Sequence, residues 1–321
     1  MRLGQPGESM TTRTWLLVLM TLGVPVAAQQ LADPSFRFVN AKPAFAAGKG
    51  PRACLDEAHH NFQSPGQNPG SYDPFAQLLR GDGYRVRETS QVFTSEMLTD
   101  CELLVIVVPA GRENQRDWAF PHSSAFTRTE LEAVYQWIRR GGGLLLITDH
   151  APGTGAVADL ATMLGAVLLD GAAREKDFSV PLPDVFSRAG GHLSEHGILK
   201  GRDVTERIEA VGTFTGSAFQ ASREWSPLLV FGKEAVASVA LGANFRDLPV
   251  SEWPRFSVAG WFHAGARRVG EGRVVLLGEL SMCTALLDPK RQPIGMNHPQ
   301  ATRNGQFCLN SVRWLSGILG E

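Results

Sequence analysis

The chain has 321 residues, of which 43% are hydrophobic and 20% charged, with a formal net charge of −1. That balance permits a sizeable core and excludes a chain that is disordered overall. Near-neutral charge without a long basic run argues against a nucleic-acid surface.

Arg2 and Arg13 precede an apolar stretch from Trp15 to Val24, and Val26-Ala27-Ala28 reads as a small-residue cleavage site. The pattern predicts a secretory signal peptide over 1–28, cleaved after Ala28, and hence a periplasmic or extracellular protein. The apolar stretch is shorter than the ~20 residues that a membrane span needs. No later segment reaches that length either, so no transmembrane segment is expected in the mature chain. Export permits disulfides. Cys54, Cys101, Cys283 and Cys308 form no CxxC pair, which argues against a zinc knuckle. Their default reading is buried free thiols, with three full pairings open.

Residues 29–51, rich in Ala, Pro and Gly, read as an extended arm before a single domain over 52–321. Arg52 to Leu55 is the first predicted strand, with Asp56-Glu57-Ala58-His59-His60-Asn61 as its exit loop. Gly66 to Gly70 reads as a turn. Asp73 and Pro74 open a helix that Gly81 stops. Tyr84 to Arg87 and Leu103 to Val108 read as strands, and Gly111 to Ser124 as a long polar loop. Thr127 and Glu130 form a capping box for a helix whose buried stripe is Leu131, Val134 and Ile138.

The central stretch is Gly141 to Gly155. Leu144 to Ile147 is a continuous apolar run, as expected of a strand buried on both faces of a parallel sheet. Asp149 and His150 stand at its end, before a helix predicted from about Gly155 to Leu164. Ala166 to Leu169 is a further strand. The alternation implies a parallel sheet with helices on both faces.

The pattern weakens over an insertion at about 171–222. Ile208 to Phe214 reads as a strand. Leu228 to Phe231 and Val236 to Leu241 read as a hairpin-like pair turned at Gly232-Lys233. Ala243 to Arg255 reads as a loop. Val258 to Ala264 and Arg273 to Leu277 flank a turn at Gly270-Glu271-Gly272. A last helix covers about Ala301 to Leu315 and ends at Gly317.

Three apolar runs thus end in acids: Asp56 and Glu57, Asp149, and Glu279. Ligands of open α/β sheets bind at the carboxyl ends of strands, so these acids with His59 and His150 predict one polar site. The candidate catalytic residues are Asp56, Glu57, His59, Asp149, His150 and Glu279. A divalent metal is one reading, with His59, His60, Asp149 and His150 as its ligands. His150 would be a general base or ligand, with Asp149 or Asp56 orienting it. The bland readings are turn caps and solvated loops; for Glu279 with Ser281 and Thr284, a helix-cap cluster.

Other motifs weigh less. Asp56 to His59 spells DEAH, but no G-x-x-x-x-G-K-[ST] accompanies it, and HExxH is absent. Gly153-Thr154-Gly155-Ala156-Val157-Ala158 fits G-x-G-x-x-A, with Asp170 as a ribose-binding acid, but it lies far from its strand for a dinucleotide loop. A plainer reading is a helix N-terminus that favours an anionic group. Trp253, Trp261, Phe262 and His263 read as core aromatics in preference to a ligand wall. Asn297-His298 reads as a turn and cap. His122, His192 and His196 read as surface or loop residues.

The order of elements resembles the class I glutamine amidotransferase-like superfamily, with its flavodoxin-like core. Within it, the chain is most similar to DUF4350 and gliding-motility GldG-like proteins. The matching pieces are Asp56 to Phe62, Leu144 to His150, and Gly278-Glu279 after a strand. Glu195 to Gly201 also resembles an HPI-x-x-G segment of related proteins, with Gly197 in place of proline. The resemblance implies a doubly wound, mostly parallel α/β sheet with an additional β-rich C-terminal part. Working amidotransferases carry a cysteine nucleophile after the central strand; here the turn reads Thr148-Asp149-His150-Ala151-Pro152. Hydrolysis of glutamine through a thioester is therefore not expected. The resulting expectation is an exported hydrolase that is not a glutaminase. The alternative is a non-catalytic envelope module for a small-molecule, carbohydrate or peptide ligand, or for a partner.

Overall fold

The structure, a computed structural model, describes residue 1 and residues 30–61, 72–117, 119–239 and 250–320. The signal-peptide reading and the Gly66 to Gly70 turn lie outside the described residues, as does most of the Ala243 to Arg255 loop.

A two-residue strand, β1 (Leu31–Ala32), comes first. The alternating half follows: β2 (Arg52–Asp56), α1 (Asp73–Gly81), β3 (Arg85–Thr89), α2 (Ser95–Thr99), β4 (Leu103–Val107), α3 (Gly111–Arg116), α4 (Arg128–Arg139), β5 (Gly143–Ile147) and α5 (Gly153–Met163). The strand-rich half contains β6 (Ala166–Leu168), β7 (Ala172–Arg174), β8 (Asp184–Ser187), the short α6 (Gly197–Lys200), β9 (Ala210–Thr213), β10 (Phe219–Ala221), β11 (Trp225–Val230) and β12 (Val236–Ser238). It continues with β13 (Phe256–Ser257), β14 (Phe262–Val269), β15 (Gly272–Leu277), β16 (Ala285–Leu287), β17 (Pro293–Gly295) and α7 (Asn304–Leu315).

The main sheet runs β3-β2-β4-β5-β15-β14-β10-β6, with β11 also on β14. Its first five strands are parallel. Taken in sequence order these five are arranged 2-1-3-4-5, the flavodoxin-like order. β14, β10, β6 and β11 extend the sheet antiparallel. The fold is therefore a mixed α/β, mostly parallel sheet with added antiparallel strands, as the sequence predicts.

β4 and β5 are apolar and buried at every position, because helices cover both faces. Alternate residues feed two cores. Ala53, Leu55, Leu145, Ile147, Val275 and Leu277 pack with α1 and α7. Cys54, Leu104, Leu146 and Leu276 pack with α2, α4 and α5. α4 starts at the predicted capping box: Glu130 N bonds to Thr127 Oγ1, and Glu130 Oε2 accepts from Thr127 N. The β14–β15 hairpin forms at the predicted glycine turn, where Gly270 takes a φ of 61° that only glycine adopts freely.

Three readings need correction. The cysteines are not free thiols: Cys54 is bonded to Cys101 and Cys283 to Cys308, with Cα–Cα distances of 5.8 and 5.7 Å. Cys101 lies two residues before the start of β4, the parallel neighbour of the strand that holds Cys54, so the sheet brings the two together. Leu228 to Phe231 and Val236 to Leu241 do not pair as a hairpin. β11 pairs with β14, whereas β12 pairs with β7 and β13, so the two apolar runs serve different sheets. The polar stretch after Gly111 is partly helical, as α3. No helix among the described residues is long and apolar enough to cross a membrane.

Candidate active site

Register places the acids. Ile147 of β5 pairs with Leu277 of β15, and the amide of Thr148 donates to the Leu277 carbonyl at 2.9 Å. Asp149 and Glu279 each lie two residues beyond that pair. They therefore leave adjacent strands, about 4.8 Å apart, on the face of Ile147 and Leu277. Both are buried, with Glu279 1% exposed.

Glu279 is held by the short turn Ser281–Cys283: Oε1 accepts from Ser281 N at 2.7 Å and Oε2 from Met282 N at 3.0 Å. The helix-cap geometry read from the sequence is thus present. Asp149 Oδ1 accepts from His150 N at 2.6 Å, and Oδ2 from Leu280 N at 3.4 Å. Burial, and then the charge of Asp149, push Glu279 up to about 8. Burial likewise raises Asp149. Two carboxylates in one dry site cannot both ionise easily, so the pair retains a proton on Glu279 near neutral pH. Tyr72 stands over the pair, its hydroxyl donating to the Leu280 carbonyl at 2.9 Å. Burial and the neighbouring acids raise this phenol well above its usual range.

His150 completes the group at the solvent side. Its Nδ1 lies 2.8 Å from the Ala151 carbonyl, so this nitrogen carries the hydrogen. Nε2 is then the basic nitrogen, 3.7 Å from Asp149 Oδ1 on a side chain that is 45% exposed.

Asp56 and His59 form a second, separate cluster. Asp56 follows the parity of Cys54, on the α4 side of the sheet, with β4 between its strand and β5. His59 Nδ1 lies 2.9 Å from Asp56, and Nε2 lies 2.8 Å from Glu130 Oε1. Phe93 and Phe126 flank the ring. Burial alone would lower the His59 pKa, but the two carboxylates win and raise it. An imidazolium with both N–H groups engaged is a brace, not a free base. Asn61 adds a bond to Asp56 Oδ2 at 3.2 Å.

The other candidates belong to neither cluster. Glu57 is half-buried, its amide donating to the Thr89 carbonyl at 2.8 Å. His60 is half-buried with φ 53°, and its carbonyl accepts from Ala110 N. The expected single site of three strand ends is thus two sites, on opposite faces of the sheet. His59, His60, Asp149 and His150 do not make one donor set, and both His59 nitrogens are already committed. Among the described residues no group of three or more His, Cys, Asp or Glu could hold a metal ion. The residues present do not fit the divalent-metal reading.

The α5 N-terminus is also occupied by the protein itself. Asp170 accepts from Thr154 Oγ1 at 3.0 Å and pairs with His122 Nδ1 at 2.6 Å. A Cβ added to Gly155 would lie 2.6 Å from Asp170 Oδ2. Asp170 is thus already engaged by side chains of the protein, which argues against its role as a ribose-binding acid. His122 is therefore no surface residue. His196 is buried and caps α6, and His192 pairs with Glu175. His263 is fully buried and stacked on Phe186, and burial pushes its pKa down to about 4. Asn297 bonds Asp33 and the Leu286 carbonyl, as a turn residue.

Tyr72 and Glu130 are the residues that the sequence reading did not place at a site. Tyr72 has no motif around it. Glu130 was legible only as a cap, because its other carboxylate oxygen reaches His59 across 71 residues.

No family model and no curated protein matches the chain. Comparison with solved structures finds a likeness of fold. The mmIFT52 N-terminal domain aligns with a TM-score of 0.56 at 12% identity, over 82% of this chain and 97% of its own. A ThuA-like protein from Bacteroides uniformis aligns over 85% of this chain and 95% of its own, at 14% identity and a TM-score of 0.46. A cytoplasmic protein from Salmonella typhimurium aligns over 83% and 98%, at 12% identity and a TM-score of 0.46. At 12% identity the likeness to the mmIFT52 domain is one of fold, and the fold alone does not name an activity.

Proposed function

We propose that the protein is an exported acid–base hydrolase working through Asp149, His150 and Glu279. The observation that carries this reading is the buried carboxylate pair at two adjacent strand ends, beside an imidazole whose tautomer is fixed. His150 Nε2 would take a proton from an attacking water at the open side of the site. The proton retained by the acid pair, passed through Asp149, would meet the leaving group. A proton donor and a proton acceptor side by side are what hydrolysis near neutral pH requires.

Thioester chemistry has no support. All four cysteines of the chain are in disulfides, so no thiolate exists for it. The two disulfides are compatible with export.

The test is a screen of the mature protein against chromogenic esters, glycosides and phosphate monoesters, repeated with D149N, H150Q and E279Q. Loss of a positioned acid or base should lower turnover by about 10²–10⁴-fold while the fold is kept. Equal turnover in all three variants would sink the proposal. A second reading is favoured by the near-complete burial of Glu279: an envelope module, of the GldG-like kind, that binds a carbohydrate or peptide without turning it over. Binding unaffected by D149N, with no turnover of any substrate class, would favour it.

A further inference from the structure

We propose that the Cys283–Cys308 disulfide positions the acid Glu279, a role that rests on the hydrolase reading above. Glu279 is held by the turn that follows it, the Ser281 side chain included. Both of its oxygens are bonded to amides of one short turn, Ser281–Cys283. A three-residue 3₁₀ turn is marginal on its own, with two long bonds in it, Cys283 N to the Leu280 carbonyl at 3.3 Å and Thr284 N to the Ser281 carbonyl at 3.4 Å. The disulfide ties the last residue of that turn to the middle of α7, a helix buried along the same face of the sheet. Cys308 Sγ also lies 3.4 Å from the Met282 carbonyl. The two amides that face Glu279 are thus fixed through a covalent bond to the core.

The surroundings make the orientation of this carboxyl matter. Asp149 faces it from the end of β5, and Tyr72 from the entry to α1. His263 of β14 lies beyond Gly278 with its Nδ1 on the Ser217 carbonyl, and stays neutral. Gly216 closes the remaining side, where an added Cβ would lie 2.6 Å from Glu279 Cβ. The Ser281 side chain and the two turn amides are the donors that favour the charged form of Glu279. Loosening them should make its proton harder to remove.

The test is an infrared titration of the buried carboxylic acid in the full mature protein, with E279Q assigning its band. C283A/C308A and the better-filling C283A/C308V are compared with C54A/C101A, which removes the other disulfide on the far face. The midpoint at which the band disappears should rise by about one pH unit in the first two and stay in place in the control. A midpoint that is unchanged or lower in the folded 283/308 variants overturns the proposal. So does failure of both to fold while C54A/C101A folds, since the bond would then serve the fold and not the site. Absence of any Glu279-dependent band in the wild type would instead overturn the acid–base reading itself.

Discussion

Asp149 and Glu279 are neighbours because Ile147 and Leu277 are register partners, and each acid lies two residues further along a parallel strand. One consequence is a stability that depends on pH. Glu279 has an ordinary value of 4.5 and a folded value near 8, so between those values the folded state binds the extra proton. Stability must then fall as pH rises through that window. At about 1.4 kcal/mol per pKa unit, the slope amounts to several kcal/mol at most. Urea melts of the wild type from acid to mildly alkaline pH should show the decline, and E279Q should flatten it. Equal slopes in the two proteins would contradict the buried acid.

The His59 brace has a different signature. Its folded pKa is raised, so its contribution is complete below the ordinary value of 6.5 and is lost as pH rises through the folded value. H59A removes the cation between Asp56 and Glu130 and leaves two buried carboxylates without it. Breaking such a bridge costs about 3–5 kcal/mol. Chemical denaturation at slightly acid pH should show that loss, and a smaller one at alkaline pH. A cost independent of pH would mean that ring packing against Phe93 and Phe126 is all that His59 supplies.

Much of this was open to a reader of the sequence. The apolar runs, the capping box and the glycine turn point to the first four parallel strands with α1, α4 and α5, because each follows a local rule. α2 has no such signal, and Ala166 to Leu169, read with the parallel strands, pairs antiparallel with β10, the fifth parallel place going to β15. The assignment of acids to one site failed for want of the register between strands. Side chains alternate along a strand, so Asp56 belongs with Cys54, whereas Asp149 and Glu279 belong with Leu145 and Val275. Only the register Leu55–Val105–Leu145, which no single strand shows, makes these opposite faces. What no local rule could supply was the partner of His59, since Glu130 lies on α4, or the entry of Tyr72. The pairing of β11 with β14 likewise depends on residues more than thirty positions away. The cysteine pairing follows from strand order, which the spacing of cysteines does not encode.

The Cys54–Cys101 bond gives a prediction of size. It closes a loop of 47 residues, for which the chain-entropy model yields about 4 kcal/mol. C54A/C101A should lose roughly 2–5 kcal/mol in denaturant melts. A loss under about 1 kcal/mol would show that native packing between β2 and the entry to β4 already restrains the chain.

Arg313 offers the sharpest test of how the C-terminal helix is anchored. Its side chain is fully buried on α7, where a charge is tolerated only if every N–H is matched. Asp82, at the end of α1, takes two bonds from it at 2.8 and 2.6 Å, and Glu206 takes a third at 2.9 Å. The Lys42 carbonyl takes another at 3.0 Å, so one guanidinium joins the N-terminal arm, α1, α7 and the loop after α6. R313M keeps much of the volume but strands Asp82 and Glu206 without this cation, which should cost about 3–5 kcal/mol. The pH dependence has the opposite sign to that of Glu279. Burial works to raise Glu206, but its bonds from Arg202 and the charge of Arg313 hold it below its ordinary 4.5. Its contribution is therefore present above that value and lost as pH falls. Melts of R313M should show a smaller loss at acid pH, where Glu206 takes up a proton, than at neutral pH. If R313M melted with the wild type at neutral pH, the network would be a by-product of helix packing and not its anchor.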